Sequence, residues 1–150
     1  MYDAAGMEML DRAECLRLLS TVKVGRVVAG GRIRPVNFAV HGDFLLIRTV
    51  SGPTLAAMLR SAVEFEADQL LDGPHRGWSV IVSGRAEEIT DPRALAAYPW
   101  TEPWTPNPRD RYVRVSIDDI SGRRIRPPAT GDVSRPAHWR RQSVFDADFF

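Results

Sequence analysis

The chain from Lys23 to Val50 alternates short apolar runs with glycine-containing turns. Gly-Gly and Gly-Asp pairs separate three segments rich in β-branched and aromatic residues, at 22–29, 33–40 and 44–50. Runs of this length between such turns predict antiparallel strands joined by hairpins. Pro35 has no amide hydrogen to donate to a neighbouring strand, so we expect it at a sheet edge or a bulge.

Three more segments continue the strand pattern, at 62–68, 78–89 and 111–117. Apolar and charged residues alternate in the first of them, as they do in a half-buried strand. Gly84 lies near the middle of the second and indicates a bulge. A further short segment, 121–125, is predicted to extend the last strand past a bend.

Short helices are predicted at three places. Asp11 can cap the first, because Glu14 follows it at the spacing of a capping box. The loose apolar stripe of this helix consists of Met9, Leu16, Leu19 and Val22. The second and third helices, at 53–61 and 91–98, each carry a proline in the first turn.

Six short strands with two or three short helices favour a closed or nearly closed antiparallel barrel. No long helices alternate with the strands, which disfavours a doubly wound parallel sheet. We therefore expect one mainly β domain over residues 1–126. Residues 127–150 are rich in proline and arginine and are predicted to form an extended tail.

Composition narrows the class of protein without identifying it. Hydrophobic residues make up 44% of the chain and charged residues 26%, as in soluble globular proteins. No apolar run is long enough to cross a membrane, and the N-terminus lacks the features of a signal peptide. The net charge of +1 disfavours nucleic acid as the main partner. The single cysteine, Cys15, is interpreted as a small core residue, and we expect a cytoplasmic protein.

The sequence shows no local set of catalytic or metal-binding residues. The three histidines, His41, His75 and His138, are isolated, and no pair of them has metal-ligand spacing. Nucleophile elbows and glycine-rich nucleotide-binding motifs are also missing. We therefore predict no catalytic side chain and no metal site, and an enzyme of this kind would rely on a bound cofactor.

A polar segment at the end of the third strand, RTVSGPT (48–54), contains the residue types that bind phosphate. Arg48 can form a bidentate pair with a phosphate, and Thr49 and Ser51 add hydroxyl donors. Gly52 permits close approach of the backbone, and the following helix presents N–H groups to the same anion. An ordinary turn with helix-capping residues is the alternative.

Two other segments are candidate ligand contacts. The edge strand around Pro35 leaves backbone groups that can hydrogen-bond the rim of a flat heterocycle, and Asn37 adds a side-chain amide. Trp78 and Ser79 begin a strand after a glycine, where the indole can stack on a ring or pack in the core.

Taken in order, six segments resemble the pyridoxamine 5′-phosphate oxidase-like proteins, and most closely the small branch with nitroimidazole-resistance-type reductases. They are VGRV (24–27), PVNF (35–38), GDFLLIRTVSGPTL (42–55), VEFEAD (63–68), GWSVIVSGRAEEI (77–89) and RVSIDDISGRRI (114–125). The resemblance implies a six-stranded antiparallel split β-barrel of the FMN-binding type. It also implies a homodimer, with FMN in a groove at the dimer interface.

The resemblance assigns residues to that groove. Arg48 and Thr49 would face the phosphate and ribityl chain, with Ser51 in the phosphate loop. Pro35, Val36 and Asn37 would lie along the isoalloxazine ring. Trp78 and Ser79 would lie at the groove wall. Thr54 stands where the family pattern usually has a lysine that gives the phosphate a point charge. Arg60 or an arginine of a partner subunit could compensate. Otherwise the protein would use a deazaflavin, bind flavin weakly, or have lost it.

These observations lead to one functional hypothesis and two alternatives. The hypothesis is an FMN-dependent oxidoreductase, in which a reduced nicotinamide supplies electrons and a small molecule accepts them. The alternatives are a non-catalytic module that binds flavin or deazaflavin, and a dimer with a degenerate cofactor site. The chain lacks the arginine- and histidine-bearing C-terminal strand of true pyridoxamine 5′-phosphate oxidases, so vitamin B6 oxidation is not expected.

Overall fold

A computed structural model of the chain describes residues 1–72, 76–100, 102 and 110–126. Within these residues the chain forms nine strands and three short helices. The strands are β1 (Glu8–Leu10), β2 (Val24–Ala29), β3 (Arg32–His41), β4 (Phe44–Thr49), β5 (Val63–Leu70), β6 (Gly77–Gly84), β7 (Ala86–Glu88), β8 (Arg111–Ser116) and β9 (Asp119–Ile125). The helices are α1 (Arg12–Leu19), α2 (Pro53–Arg60) and α3 (Pro92–Ala97). The predicted tail, 127–150, lies outside the described residues.

Six extended segments surround the core as a barrel. Antiparallel pairing runs from β5 through β2, β3 and β4 to β8. The continuous segment from β6 into β7 joins the two ends, because β6 pairs with β5 and β7 pairs with β8. The prediction of a mainly β, antiparallel split barrel is therefore confirmed, with one predicted strand divided into β6 and β7.

The strand β3 is shared between two sheets, which explains the position of its proline. The first half of β3 pairs with β2 and places Pro35 opposite Arg26, whereas residues 38–41 pair with β4. Within the described residues, no strand pairs with the other side of the first half. Pro35 therefore lies at a sheet edge, as expected for a residue that cannot donate a backbone hydrogen bond.

Gly84 is the point at which the ring closes. A Cβ atom at this position would lie 1.7 Å from the carbonyl oxygen of Ser116. On either side of this contact, the N–H groups of Ser116 and Asp118 donate to the carbonyls of Arg85 and Ser83 at 3.0 Å. The glycine predicted to interrupt the long strand therefore lets β6 pass directly against the end of β8.

The core fills the ring and continues beneath the helices. Its largest fully buried side chains include Phe38, Phe65, Leu19, Leu45, Leu46, Ile47 and Met58. The rings of Phe38 and Phe65 pack edge to face, with their centroids 4.7 Å apart. Cys15 on α1 is fully buried, and burial raises the pKa of its thiol. The interpretation of this cysteine as a core residue is confirmed.

Two strands extend the sheet beyond the ring, where sequence analysis was less accurate. β9 pairs with β6, and β1 pairs with β9. Met9 was assigned to a helical stripe, which is wrong, because it lies in β1 and is 48% exposed. The predicted helix begins after it, where the Asp11 carboxylate accepts the Glu14 backbone N–H at 2.8 Å. Segment 121–125 belongs to β9, a separate strand, and does not extend β8.

Candidate functional site

A cleft of about 310 Å³ brings two of the predicted segments together. Residues 34–36 of β3 form one wall, and residues 49–54, from the end of β4 into α2, form the other. We call this space the hydroxyl cleft, because its second wall carries Thr49, Ser51 and Thr54. The free edge of β3 and the phosphate-like loop are therefore neighbours, although residues 37–48 separate them in the sequence.

The loop wall presents the N-terminus of α2 to the cleft. Gly52 precedes the helix with φ of 156°, a conformation that favours glycine, and Pro53 takes the first helical position. No side chain in the described residues caps this end of α2. Since the first N–H groups of a helix have no partner within it, this helix end offers donors for an anion.

Thr49 has the most informative side chain in the cleft. It is the one buried polar or charged residue in the described part of the chain, with 6% exposure. No hydrogen bond of its hydroxyl is found among the residues that the structure describes. Buried hydroxyls are usually hydrogen-bonded, so a buried hydroxyl that lines a cleft indicates a polar ligand or water there. This supports the prediction that Thr49 contacts a bound group.

Ser51 is held by an arginine that sequence analysis did not consider. The Nη1 atom of Arg111, the first residue of β8, donates to the Ser51 hydroxyl. The same guanidinium pairs with Glu88 through Nε to Oε1 and through Nη2 to Oε2, the latter at 2.9 Å. The hydrogen bonds between them raise the pKa of Arg111 and lower that of Glu88. A cation therefore lies beside the loop.

Arg48 is positioned differently from the expectation for a phosphate contact. It lies opposite Tyr112 in the β4–β8 ladder, and its guanidinium carbon is 5.2 Å from the centre of that ring. Its Nη1 atom is 3.8 Å from a carboxylate oxygen of Glu102. Neighbouring residues of a strand face opposite sides, so Arg48 points away from the side that Thr49 occupies. Its role at a flavin phosphate stays a prediction.

Of the three residues predicted to contact the flavin ring, two line the hydroxyl cleft and one does not. Pro35 and Val36 line the hydroxyl cleft, whereas Asn37 does not, and its Nδ2 donates to the Lys23 carbonyl at 3.4 Å. Asn37 lies at the point where β3 leaves one sheet for the other. Both cleft residues lie on the half of β3 that no described strand pairs on its other side, an edge open to a flat ligand.

Trp78 and Ser79 lie elsewhere in the single chain. Trp78 is 6% exposed and belongs to the core, where its indole also borders a second cavity of about 640 Å³. We call this space the arginine cavity, because it lies between α1, β6 and β9 and is lined by Arg17, Arg76, Arg124 and Arg126. Neither residue lines the hydroxyl cleft, so one chain alone does not unite all the predicted cofactor contacts.

The arginines of the second cavity are largely occupied by carboxylates. Glu14 accepts from Arg17 at 2.7 and 2.8 Å and also from Arg124. These hydrogen bonds lower the pKa of Glu14 to about 2. Arg124 and Arg126 also pair with Glu8. The charge of this cavity is therefore held in a network of ion pairs within the chain.

The proposed compensation by Arg60 does not fit the geometry. Arg60 ends α2, so a helix rise of about 1.5 Å per residue places its backbone roughly 10 Å from Pro53. Arg111 is closer to the hydroxyl cleft than Arg60 is, because the β4–β8 register pairs Arg111 with Thr49. Arg111 lies 60 positions beyond Ser51, so no local pattern in the sequence indicates this contact, which strand register creates.

Other kinds of site find less support. In the part of the chain that the structure describes, no group of three or more His, Cys, Asp or Glu residues could hold a metal ion. His41 lies at the end of β3, exposed, with its ring 5.3 Å from that of Tyr98. His75 and His138 lie outside the described residues. No helix within the described ranges has the length and apolar character to span a membrane.

Comparison with known proteins assigns the chain to a family. Residues 11–124 match the family described as pyridoxamine 5′-phosphate oxidase. An uncharacterized Mycobacterium tuberculosis protein, Rv0080, is 37% identical over 127 residues, which cover 77% of this chain and 84% of that protein.

Solved structures agree with this match. An FAD binding protein from Mycobacterium smegmatis is 39% identical, with a TM-score of 0.66 over 79% of this chain and 99% of its own. An FAD-binding protein from Mesorhizobium loti shares the fold at 22% identity, with a TM-score of 0.64 over 81% of this chain and 98% of its own.

Proposed function

The chain belongs to the pyridoxamine 5′-phosphate oxidase family, and we propose that it is a flavin-dependent oxidoreductase with the flavin phosphate in the hydroxyl cleft. The observation that carries the proposal is the buried Thr49, which lines this cleft beside the uncapped N-terminus of α2 and whose hydroxyl has no hydrogen bond within the described residues. The family match and the relative named as an FAD binding protein support a flavin as the ligand.

The residues of the cleft fit a nucleotide phosphate by the chemistry of their donors. Hydroxyls of Thr49, Ser51 and Thr54 and the first N–H groups of α2 can all donate to phosphate oxygens. Gly52 leaves the loop without a side chain at the helix entrance, so the backbone can approach closely. The edge of β3 at Pro35 and Val36 would lie along the ring. No contact in this set requires a further cofactor or a metal.

The proposed reaction moves two electrons and a proton, as a hydride, from a reduced nicotinamide to a small-molecule acceptor through the flavin. A bound flavin supplies the redox chemistry, and the protein orients it and excludes water. Thr49 and Ser51 would hold the phosphate end, while β3 would hold the polar rim of the ring. We assign no acid or base to this chain, because within the described residues the cleft is lined by hydroxyls, apolar groups and Arg34.

FMN is the proposed form of the cofactor. The loop wall of the cleft offers hydroxyls and one helix N-terminus, which are donors for a single phosphate group. FAD is the second candidate, since a relative at 39% identity is named as an FAD binding protein. A deazaflavin is the third, because Thr54 removes the lysine charge that the family pattern places near the phosphate.

A homodimer with the groove at its interface is the proposed assembly. Trp78 and Ser79 border other cavities in the single chain, so a second copy is needed to bring these two predicted contacts to the hydroxyl cleft. Sedimentation equilibrium should give a mass of about twice 16.8 kDa. A monomer that binds flavin with full affinity would contradict this part of the proposal.

The proposal is tested by purification of the chain and a visible absorption spectrum. We expect flavin absorption, a released cofactor with the mass of FMN, and bleaching when NADH or NADPH is added without oxygen. Protein that is colourless and takes up neither flavins nor deazaflavin would overturn the proposal. A bound flavin that no nicotinamide reduces would instead favour the non-catalytic binding module.

A further inference from the structure

Arg111 and Glu88 form an ion pair that touches the candidate phosphate loop. Arg111 opens β8 directly opposite Thr49, and β7 brings Glu88 to the other side of the same guanidinium. The pair is two-pronged, through Nε and Nη2, and leaves Nη1 to donate to Ser51. The guanidinium is therefore fixed at one edge by a carboxylate and directed by the other edge toward the loop.

We propose that Arg111 is a binding residue that contributes the positive charge for the flavin phosphate, with Glu88 and Ser51 as its positioning residues. This inference rests on the proposed function. It assigns the positive charge to a residue that lies outside the segment 48–54 and is not Arg60. Arg111 would then provide the positive charge that Thr54 does not. The charge that a lysine at 54 would place on α2 comes from β8 across the loop.

The geometry of the pair supports a short-range role. Glu88 neutralises much of the Arg111 charge at a distance, so attraction of anions through solvent would be weak. At contact, the remaining N–H groups of the guanidinium fork can still donate to phosphate oxygens beside Ser51. A site of this type gains affinity from an orientated, charge-assisted hydrogen bond. Its loss should therefore affect a phosphorylated flavin and spare the same ring without phosphate.

A second pair on the same two strands provides a matched control. Arg114 of β8 pairs with Glu87 of β7 at 2.6 and 2.9 Å, as Arg111 pairs with Glu88. Arg114 instead lies over the Phe44 ring at 4.6 Å and donates to the Tyr98 hydroxyl at 2.9 Å. It has no contact with the loop in the described residues. Both ion pairs therefore join an arginine of β8 to a glutamate of β7, and only the Arg111–Glu88 pair contacts the loop.

The test compares FMN with riboflavin, which has the same ring and no phosphate, by fluorescence titration of the purified chain. Arg111→Met should weaken FMN binding roughly ten- to hundredfold and leave riboflavin binding within about twofold. Arg114→Met should leave both affinities within about twofold. Arg111→Lys, which keeps the charge without the fork, should fall between wild type and Arg111→Met for FMN.

Rescue from the other side of the loop sharpens the test. Thr54→Lys combined with Arg111→Met should recover most of the FMN affinity, because it restores a cation near the phosphate. Equal losses for FMN and riboflavin in Arg111→Met would show a purely structural role and overturn the inference. Unchanged FMN affinity in both Arg111 variants would overturn it as well. If the wild-type chain binds neither flavin, the proposed function itself fails.

Discussion

The hydroxyl cleft and the arginine cavity show two ways in which a protein surface can hold donors. The larger space, of about 640 Å³, is lined by four arginines, yet three of them are paired with Glu8 or Glu14. The smaller, of about 310 Å³, has Arg34 as its one charged lining residue but includes a buried hydroxyl without a partner in the described structure. The candidate anion site is therefore identified by donors without a hydrogen-bond partner, and not by the number of charged residues that line it.

The same comparison explains why Arg111 differs from the arginines of the larger cavity. Arg124 is shared by Glu8 and Glu14, so carboxylates oppose its charge from two sides. Among the described residues, Arg111 hydrogen-bonds one carboxylate, that of Glu88, and has the Ser51 hydroxyl as its second contact. A neutral second partner leaves more of the Arg111 charge for a phosphate than a second carboxylate would.

The largest effect is expected where one change disrupts both regions. Gly84→Ala would place a methyl group against the Ser116 carbonyl at the closure of the ring that positions both cavities. We expect a loss of about 3 kcal/mol or more in the free energy of unfolding, measured with urea. The exposed neighbour Arg85→Ala should change it by less than about 0.5 kcal/mol. An unchanged midpoint for Gly84→Ala would show that the ring does not close here.

A lysine placed in each cavity should separate the two regions clearly. Thr54→Lys adds a charge to the hydroxyl cleft and should raise FMN affinity roughly ten- to hundredfold, as judged by titration. The matched change Thr21→Lys, in the lining of the arginine cavity, should leave FMN affinity within about twofold. If both lysines raise it equally, the effect is general electrostatics and the distinction between the cavities is lost.

Removal of one hydroxyl should have a smaller effect in the same direction. Ser51→Ala deletes the hydroxyl between Arg111 and the loop and should lower FMN affinity about tenfold, with riboflavin affinity nearly unchanged. Ser61→Ala at the other end of α2, where the hydroxyl donates to the Ala57 carbonyl at 2.7 Å, is the control. A similar FMN loss in both variants would point to helix stability rather than to a phosphate contact.

The smallest effect concerns the ion pairs of the arginine cavity at low pH. Because Arg17 and Arg124 lower the pKa of Glu14 to about 2, its ionised form stabilises the fold above its usual pKa of 4.5. That contribution is lost as pH falls from 4.5 through about 2. The stability advantage of the wild type over Glu14→Gln should therefore shrink across this window in urea titrations. A difference in the free energy of unfolding between the two proteins that stays constant with pH would contradict this prediction.

The barrel was predictable because local patterns agreed with the final pairing. Runs of β-branched residues became the strands of the ring, Asp11 caps α1, and Pro35 lies at an edge. β1 was missed because three residues give no measurable alternation, and its pairing with β9 joins residues more than 110 positions apart. Short strands of this kind are determined by tertiary contacts, not by propensity.

The site was predictable only in part, for a related reason. The loop 48–54 and the β3 edge were recognised from residue types, and the cleft unites them. Strand alternation separates Arg48 from Thr49, and register brings Arg111 in, neither of which follows from composition. Both depend on which face of β4 is turned toward the loop, a property of the folded sheet. The roles of Arg48, Asn37, Trp78 and Ser79 at a cofactor stay predictions.

The most direct test of the central claim is a crystal structure of the chain with FMN. We expect phosphate density in the hydroxyl cleft, within hydrogen-bonding distance of Thr49, Ser51 and the first turn of α2. The Arg111 guanidinium should lie beside it and remain paired with Glu88. Phosphate density among Arg17, Arg124 and Arg126 would contradict the account, because the anion site would then be the arginine cavity.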